Sequence, residues 1–178
     1  KKYNIPLIAD SADSLGATYK NKKVGTIADI HIFSFFANKI ITTGEGGMVT
    51  TDNKEIAEKI KILRNQGQDY RYHHIELGYN YRMTDIVATI GIVQLKRVQW
   101  ILEEKEKIAK RYHDAFSNAR NIEIPFIPDY VTQHAWYMYT ITVKKHRDKI
   151  VKQLNEKGIG TRLSFPPIHT QPYYQNMG

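Results

Sequence analysis

"IHIFSFFANKIITTGEGGMVTT", Ile30 to Thr51, decides how the chain folds. Its first part, Ile30 to Phe36, is a short apolar run of strand type, and it ends on Lys39 and then on a loop holding Gly44, Gly46 and Gly47. A lysine at the lip of a buried strand either carries its charge out to water on its long stem or is kept there for its amine. The surrounding residues decide between these.

Two further apolar runs flank this one, "IPLIAD" from Ile5 to Asp10 and "GGMVTTD" from Gly46 to Asp52, each bounded by turn residues. Strands apolar on both faces belong to a sheet covered by helices, and such sheets bind ligands at strand ends. Asp10, Ser34 and Lys39 all fall at or near such ends. Helices follow. Asp52 with Glu55 three residues on forms a capping-box-like start, and Ile56, Ala57, Ile60 and Leu63 make one apolar face ending at "NQG". Residues 67–83 form a polar loop rich in tyrosine and arginine. Thr84 caps a long helical segment from Asp85, whose part "IVATIGIVQL" is apolar nearly all round and is therefore expected to be buried. From Trp100 to about Asn118 the pattern becomes charged and amphipathic.

Pro125 and Pro128 bar regular helix in "IEIPFIPDY" and mark the expected boundary. Beyond it "AWYMYTITV" alternates like a strand, "HRDKIVKQLNEKG" reads as a helix ending at Gly158, and "IGTRLSF" as another strand, with Trp136, Tyr137 and Tyr139 in the small-domain core. The expected organisation is α/β over residues 1–99, then a connecting helix and a small α+β domain over 100–178.

Composition narrows the function classes. The 178 residues are 42% hydrophobic and lack cysteine, which removes disulfide and thiolate chemistry. No apolar run approaches the roughly 18 residues of a membrane span, and the start shows no signal-peptide pattern; the chain reads as cytoplasmic. Lysine and arginine, 26, outweigh aspartate and glutamate, 18, for a net charge of +8. The positive charge suits an anionic partner, but the densest run, Leu102 to Arg111, mixes signs as a solvated helix face does, and no nucleic-acid-binding signature is present. A small phosphorylated ligand fits the same charge. His73 and His74 are adjacent, so they point apart, and no carboxylate or cysteine stands at ligand spacing. Tyr70, Tyr72, Tyr79 and Tyr81 read as interface packing in a dimer rather than a base-stacking platform.

An acid ending one strand, a serine in the next strand five residues before a lysine, and a glycine-rich turn after it together meet one chemical need. Pyridoxal phosphate takes an ε-amine as a Schiff base, a carboxylate opposite its ring nitrogen, and hydroxyls and amides around its phosphate. Lys39, Asp10 and Ser34 supply the three parts. The glycines would let the backbone bend where a side chain would crowd cofactor or partner subunit.

"IADSADSLGATYKNKKVGTIADIHIFSFFANKIITTGEGGMVTTD", "LGYNYRMTDIVATIGIVQL" and "GIGTRLSFPPIHTQPYY" occur in that order, and the chain resembles the DegT/DnrJ/EryC1/StrS nucleotide-sugar aminotransferases, perosamine-synthase-like members above all. The resemblance implies the aspartate-aminotransferase-like architecture of fold type I, with residues 1–99 as the C-terminal part of the large cofactor-binding domain. It implies that Lys39 is the catalytic lysine joined to pyridoxal phosphate and that Asp10 partners the pyridine nitrogen. Ser34 is then a phosphate ligand, and Asn80 reaches the cofactor phosphate of the neighbouring subunit, so that a homodimer shares its active sites. Arg82, Arg162 and His169 would lie near the nucleotide or sugar. Asp13 stands near the cofactor where many members carry glutamine or histidine and some perosamine-type enzymes glutamate. The implied reaction moves an amino group from an amino acid, L-glutamate in the first instance, to a keto sugar of a nucleoside diphosphate, of 4-keto-6-deoxy type. Lys39 would be the base at the donor α-carbon.

The family is about twice as long, so the chain looks like a C-terminal half and is expected to be unstable or to aggregate alone. Two alternatives remain beside this reading. A sugar dehydratase of the same family would carry histidine in place of Lys39, and a non-catalytic regulatory member would not need the lysine.

Overall fold

A computed structural model describes residues 3–177; Lys1, Lys2 and Gly178, at the outer ends of the two expected domains, lie outside the described residues. In chain order the first elements are β1 (Ile8–Asp10), β2 (Thr18–Tyr19), β3 (Lys22–Lys23), β4 (Ile30–Ser34), β5 (Gly47–Thr50) and α1 (Lys54–Leu63). They are followed by β6 (Gln68–Tyr70), β7 (His73–His74), α2 (Asp85–Lys96), α3 (Val98–Phe116), β8 (Ile122–Glu123) and β9 (Val131–Gln133). The last are β10 (Thr142–Val143), α4 (Arg147–Glu156), a 3-10 turn (Ile168–Thr170) and α5 (Pro172–Gln175). The chain forms two compact units: the first runs to Arg111 and takes in Ile127–Met138, and the second comprises Tyr112–Phe126 and the residues from Tyr139 on. This division differs from one at residue 99, because Leu102 and Ala109 of α3 are buried in the first unit.

The centre of the first unit is a sheet of order β1-β4-β5, with β1 parallel to β4 and β5 antiparallel. One face of β4 points inward: His31, Phe33 and, just beyond, Phe35 are buried. Phe33, Phe35 and Ile41 form one apolar cluster with Leu15, Val24, Met83, Val98 and Ile101; Ile40, Leu102 and Ala135 form a second with Leu15, Ala17 and Tyr137. The other face differs from the expectation of a sheet covered on both sides, since Ile8 and Ile32 are 60% and 44% exposed.

Asn53, not Asp52, caps α1, its Oδ1 accepting the Glu55 and Ile56 N–H groups at 2.9 and 3.1 Å. Thr84 caps α2 as expected, its Oγ1 accepting the Val87 N–H. None of the residues of α2 is buried, contrary to the expectation from its apolar sequence. The helical segment breaks at Arg97, and the break lets Val98, Ile101 and Leu102 enter the two clusters. Residues 67–83 are built back onto the end of α1 through Gln66 N–H to Tyr79 O, Tyr79 N–H to Leu63 O and Tyr81 N–H to Arg64 O, all at 2.9 Å.

In the second unit β8 pairs antiparallel with β10, and Tyr112 stacks on Phe116 and packs against Tyr139. The alternating "AWYMYTITV" yields strand only at Thr142–Val143. Trp136 takes a left-handed φ of +48° that interrupts it, and Trp136 and Tyr137 belong to the first unit, not to the small-domain core. "IGTRLSF" is likewise not a strand; Phe165 has a φ of +60°.

Candidate active site

The residues after β4 set the lysine. Ile40 and Ile41 are 4% and 2% exposed and are drawn into different apolar clusters, which pins the backbone beside Lys39. Lys39 N–H donates to Phe36 O at 3.0 Å. The glycine loop then turns back into β5. A Cβ at Gly46 would lie 2.5 Å from Thr43 Oγ1, and one at Gly47 would lie 2.7 Å from Phe33 O. Within the chain itself, a side chain at Gly46 would crowd the loop residue Thr43, and one at Gly47 the β4 backbone.

Lys39 does not send its charge to water. Its side chain is 17% exposed, its Nζ pairs with the Asp13 carboxylate, and it lies 4.7 Å from the centroid of the Tyr137 ring. A desolvated ammonium is favoured by both partners. The structure therefore brings Lys39 and Asp13 together and adds Tyr137, which sequence reasoning had assigned to a domain core; no sequence signal ties Tyr137 to a lysine nearly a hundred residues before it.

Asp10 ends β1, and its Oδ1 accepts the Ala12 N–H at 3.0 Å. Ser34 ends β4, its Oγ accepting the Phe36 N–H at 3.3 Å, which leaves the hydroxyl proton to donate. Beneath the turn after β1 lies a buried pair not anticipated from sequence. Ser11 and His31 are 2% and 3% exposed, with Ser11 Oγ 2.9 Å from His31 Nδ1. His31 Nε2 accepts the Ile27 and Ala28 N–H groups at 3.1 and 2.9 Å, so its proton is on Nδ1 and donates to Ser11. The alternation of β4 places residue 31 inward, and that was the available signal.

Asn80 bridges to Asn65, and its Oδ1 accepts from Arg82 Nε at 3.1 Å; both residues are exposed. Arg162 and His169 belong to the second unit and are exposed, Arg162 with its guanidinium 5.5 Å over Phe165 and His169 in the 3-10 turn. Of the adjacent histidines, His73 Nδ1 bonds Asp69 at 2.7 Å and holds that carboxyl below its usual range, while His74 Nδ1 bonds Gln66 O at 2.9 Å. Among the described residues no helix is long and apolar enough to cross a membrane.

A primary amine, carboxylates and a hydroxyl at the ends of β1 and β4 are the donor set that pyridoxal phosphate requires, and the half-withdrawn amine fits it better than a surface lysine would. The comparisons agree with this chemistry. The chain belongs to the DegT/DnrJ/EryC1/StrS aminotransferase family, whose sequence model matches residues 1–178. It is 45% identical to the uncharacterized protein MJ1066 of Methanocaldococcus jannaschii, covering 98% of this chain and 50% of that one. It is 40% identical to the GDP-perosamine synthase of Caulobacter vibrioides, covering 99% and 49%. The solved structure of Spr1654 from Streptococcus pneumoniae, in its PLP form, superposes with a TM-score of 0.89 at 32% identity, covering 98% of this chain and 47% of that one. The chain thus spans about half the length of the curated relatives it matches.

Proposed function

We propose that the whole protein is a pyridoxal-phosphate-dependent aminotransferase that passes an amino group from an amino acid, L-glutamate in the first instance, to a keto sugar carried on a nucleoside diphosphate. The observation that carries this is the Lys39 amine, held in the turn after β4 between a carboxylate and an aromatic ring in a chain of this family.

When bound, the cofactor supplies an aldehyde that takes up an amine and a ring that withdraws the electron pair left at the donor's α-carbon. The protein's residues do the rest. Lys39 would hold the cofactor, and its Nζ, once free, would serve as the base that takes the proton from the donor α-carbon. Asp10 keeps the ring nitrogen protonated, so that the ring goes on withdrawing charge. Ser34 donates to the phosphate, and Asn80 does so for the site of a second subunit, which makes the active form a homodimer. Arg82 would meet the diphosphate with fixed positive charge; Arg162 and His169 are assigned to the nucleotide or sugar by the family resemblance alone. A 4-keto-6-deoxy sugar is the acceptor favoured by the likeness to a GDP-perosamine synthase.

The test is a spectrum of the full-length protein with pyridoxal phosphate. Wild type is expected to show visible cofactor absorbance that glutamate bleaches and that a 4-keto sugar nucleotide restores. Lys39→Ala is expected to retain no enzyme-linked cofactor. Visible absorbance that is the same in both proteins would overturn the assignment.

A further inference from the structure

Lys39 is gripped by two groups that come from distant parts of the chain. Asp13 lies 26 residues before it, in the turn that follows β1, and Tyr137 lies in the segment Ile127–Met138 that returns to the first unit. Each has its own anchor. The Asp13 turn is closed by Ser14 N–H donating to Ser11 O at 3.1 Å, and Ser11 is itself fixed by His31. Tyr137 follows Ala135, packed against Ile40 and Leu102, and Trp136, whose Nε1–H donates to Glu106 Oε2 at 2.5 Å. Asp10, by contrast, spends one carboxylate oxygen on the Ala12 N–H. The two acids of "DSAD" are thus committed to different tasks.

We propose that Asp13 and Tyr137 act on Lys39. Together they form a seat that receives the lysine nitrogen whenever it is not joined to the cofactor, as the ammonium before cofactor capture and as the neutral amine freed during turnover, and both are positioning residues. The inference rests on the aminotransferase reading above. The seat has two opposed consequences. To capture the cofactor, the Lys39 ammonium leaves the carboxylate and gives one proton to water. Its lone pair then forms the bond to the aldehyde carbon, and the aldehyde oxygen departs as water, with no change of oxidation state; the seat slows this. During turnover the same seat keeps the freed amine within reach of the donor's α-carbon, and there it speeds the reaction.

The experiment follows cofactor capture and turnover separately in the full-length protein. Cofactor-free protein is mixed with pyridoxal phosphate and reduced with borohydride at timed intervals, and the pyridoxyl label on the Lys39 peptide is measured by mass spectrometry. Asp13→Asn is expected to capture about fivefold faster, the upper end for a half-exposed ion pair. Its kcat is expected to fall about tenfold or more, with the donor KM little changed. Asp13→Glu restores part of kcat. Tyr137→Phe keeps the ring face and shifts less than Tyr137→Leu, which moves in the direction of Asp13→Asn. Should Asp13→Asn not fold, the contrast between Tyr137→Leu and Tyr137→Phe decides.

Capture and turnover falling together, or neither moving, overturns the seat. Absence of label on Lys39 in wild type overturns the aminotransferase reading and the seat with it. Label on Lys39 at equal rates in wild type and Asp13→Asn overturns the seat alone.

Discussion

His31 shows how a single buried polar side chain sets the ground on which the site stands. Its ring ties the turn after β1, through Ser11, to the backbone at residues 27 and 28. His31→Ala would leave the buried Ser11 hydroxyl and the half-buried N–H groups of residues 27 and 28 without that partner, and one unsatisfied buried group costs about 1–3 kcal/mol. The expected loss of stability is therefore about 1–3 kcal/mol, measured as a fall in the urea midpoint. His134 carries a different consequence. Burial pushes its imidazole below the usual range, and the Glu106 charge pulls it part of the way back; its Nδ1 accepts the Trp136 N–H at 3.0 Å. The folded state resists a proton that the unfolded chain binds near pH ~6.5. Between the lowered value and that one, stability rises with pH, and it is lost on acidification through the same window. Urea midpoints taken from pH 8 down to pH 5 are expected to fall, and His134→Gln to flatten part of the slope.

At the scale of elements, the interval from α1 to α2 is where local sequence and tertiary contact part company. The first cap is set by local chemistry: Asn53→Ala is expected to cost about 1 kcal/mol and Asp52→Ala close to nothing, a difference that thermal melts of the two variants resolve. The loop that follows is set by contact. Gly67 has a φ of +72°, and a Cβ there would stand 1.8 Å from Glu76 O, so the hairpin and the Asn65–Asn80 bridge depend on its lack of a side chain. The strands around Lys39, the Thr84 cap and the approximate extent of α1 were legible in sequence because short apolar runs, caps and turn residues act locally. Less was legible where distant parts meet. The inward turn of Trp136 and Tyr137, the break at Arg97 and the burial of His31 all follow from which side chains the two apolar clusters draw in. Among the proposed site residues, Asp10 and Ser34 stand out in the sequence by their place at strand ends and Lys39 by the turn just beyond one. Tyr137 does not, since only the fold carries residues 127–138 back to the first unit.

For the whole molecule the most consequential surface is the one on α2. Ile86, Ile90 and Val93, spaced as one helical stripe, are 79%, 46% and 52% exposed. An apolar stripe of this kind on a chain that also exposes Tyr79 and Tyr81 is a surface that calls for cover. Asn80 and Arg82 stand immediately before the helix. If Asn80 reaches the cofactor phosphate of a second subunit, as proposed, α2 lies along the same border, and a second copy is the cover its stripe meets. Ile90→Lys in the full-length protein places an unpaired charge on that border, and burying such a charge is costly. Light scattering after size exclusion is expected to show the dimer mass of wild type falling to that of the monomer. Cofactor retention should drop with it, because each site loses the partner's asparagine. A dimer that persists with normal cofactor retention would mean that another part of the same subunit covers the stripe, and Asn80 would then serve its own subunit's site instead.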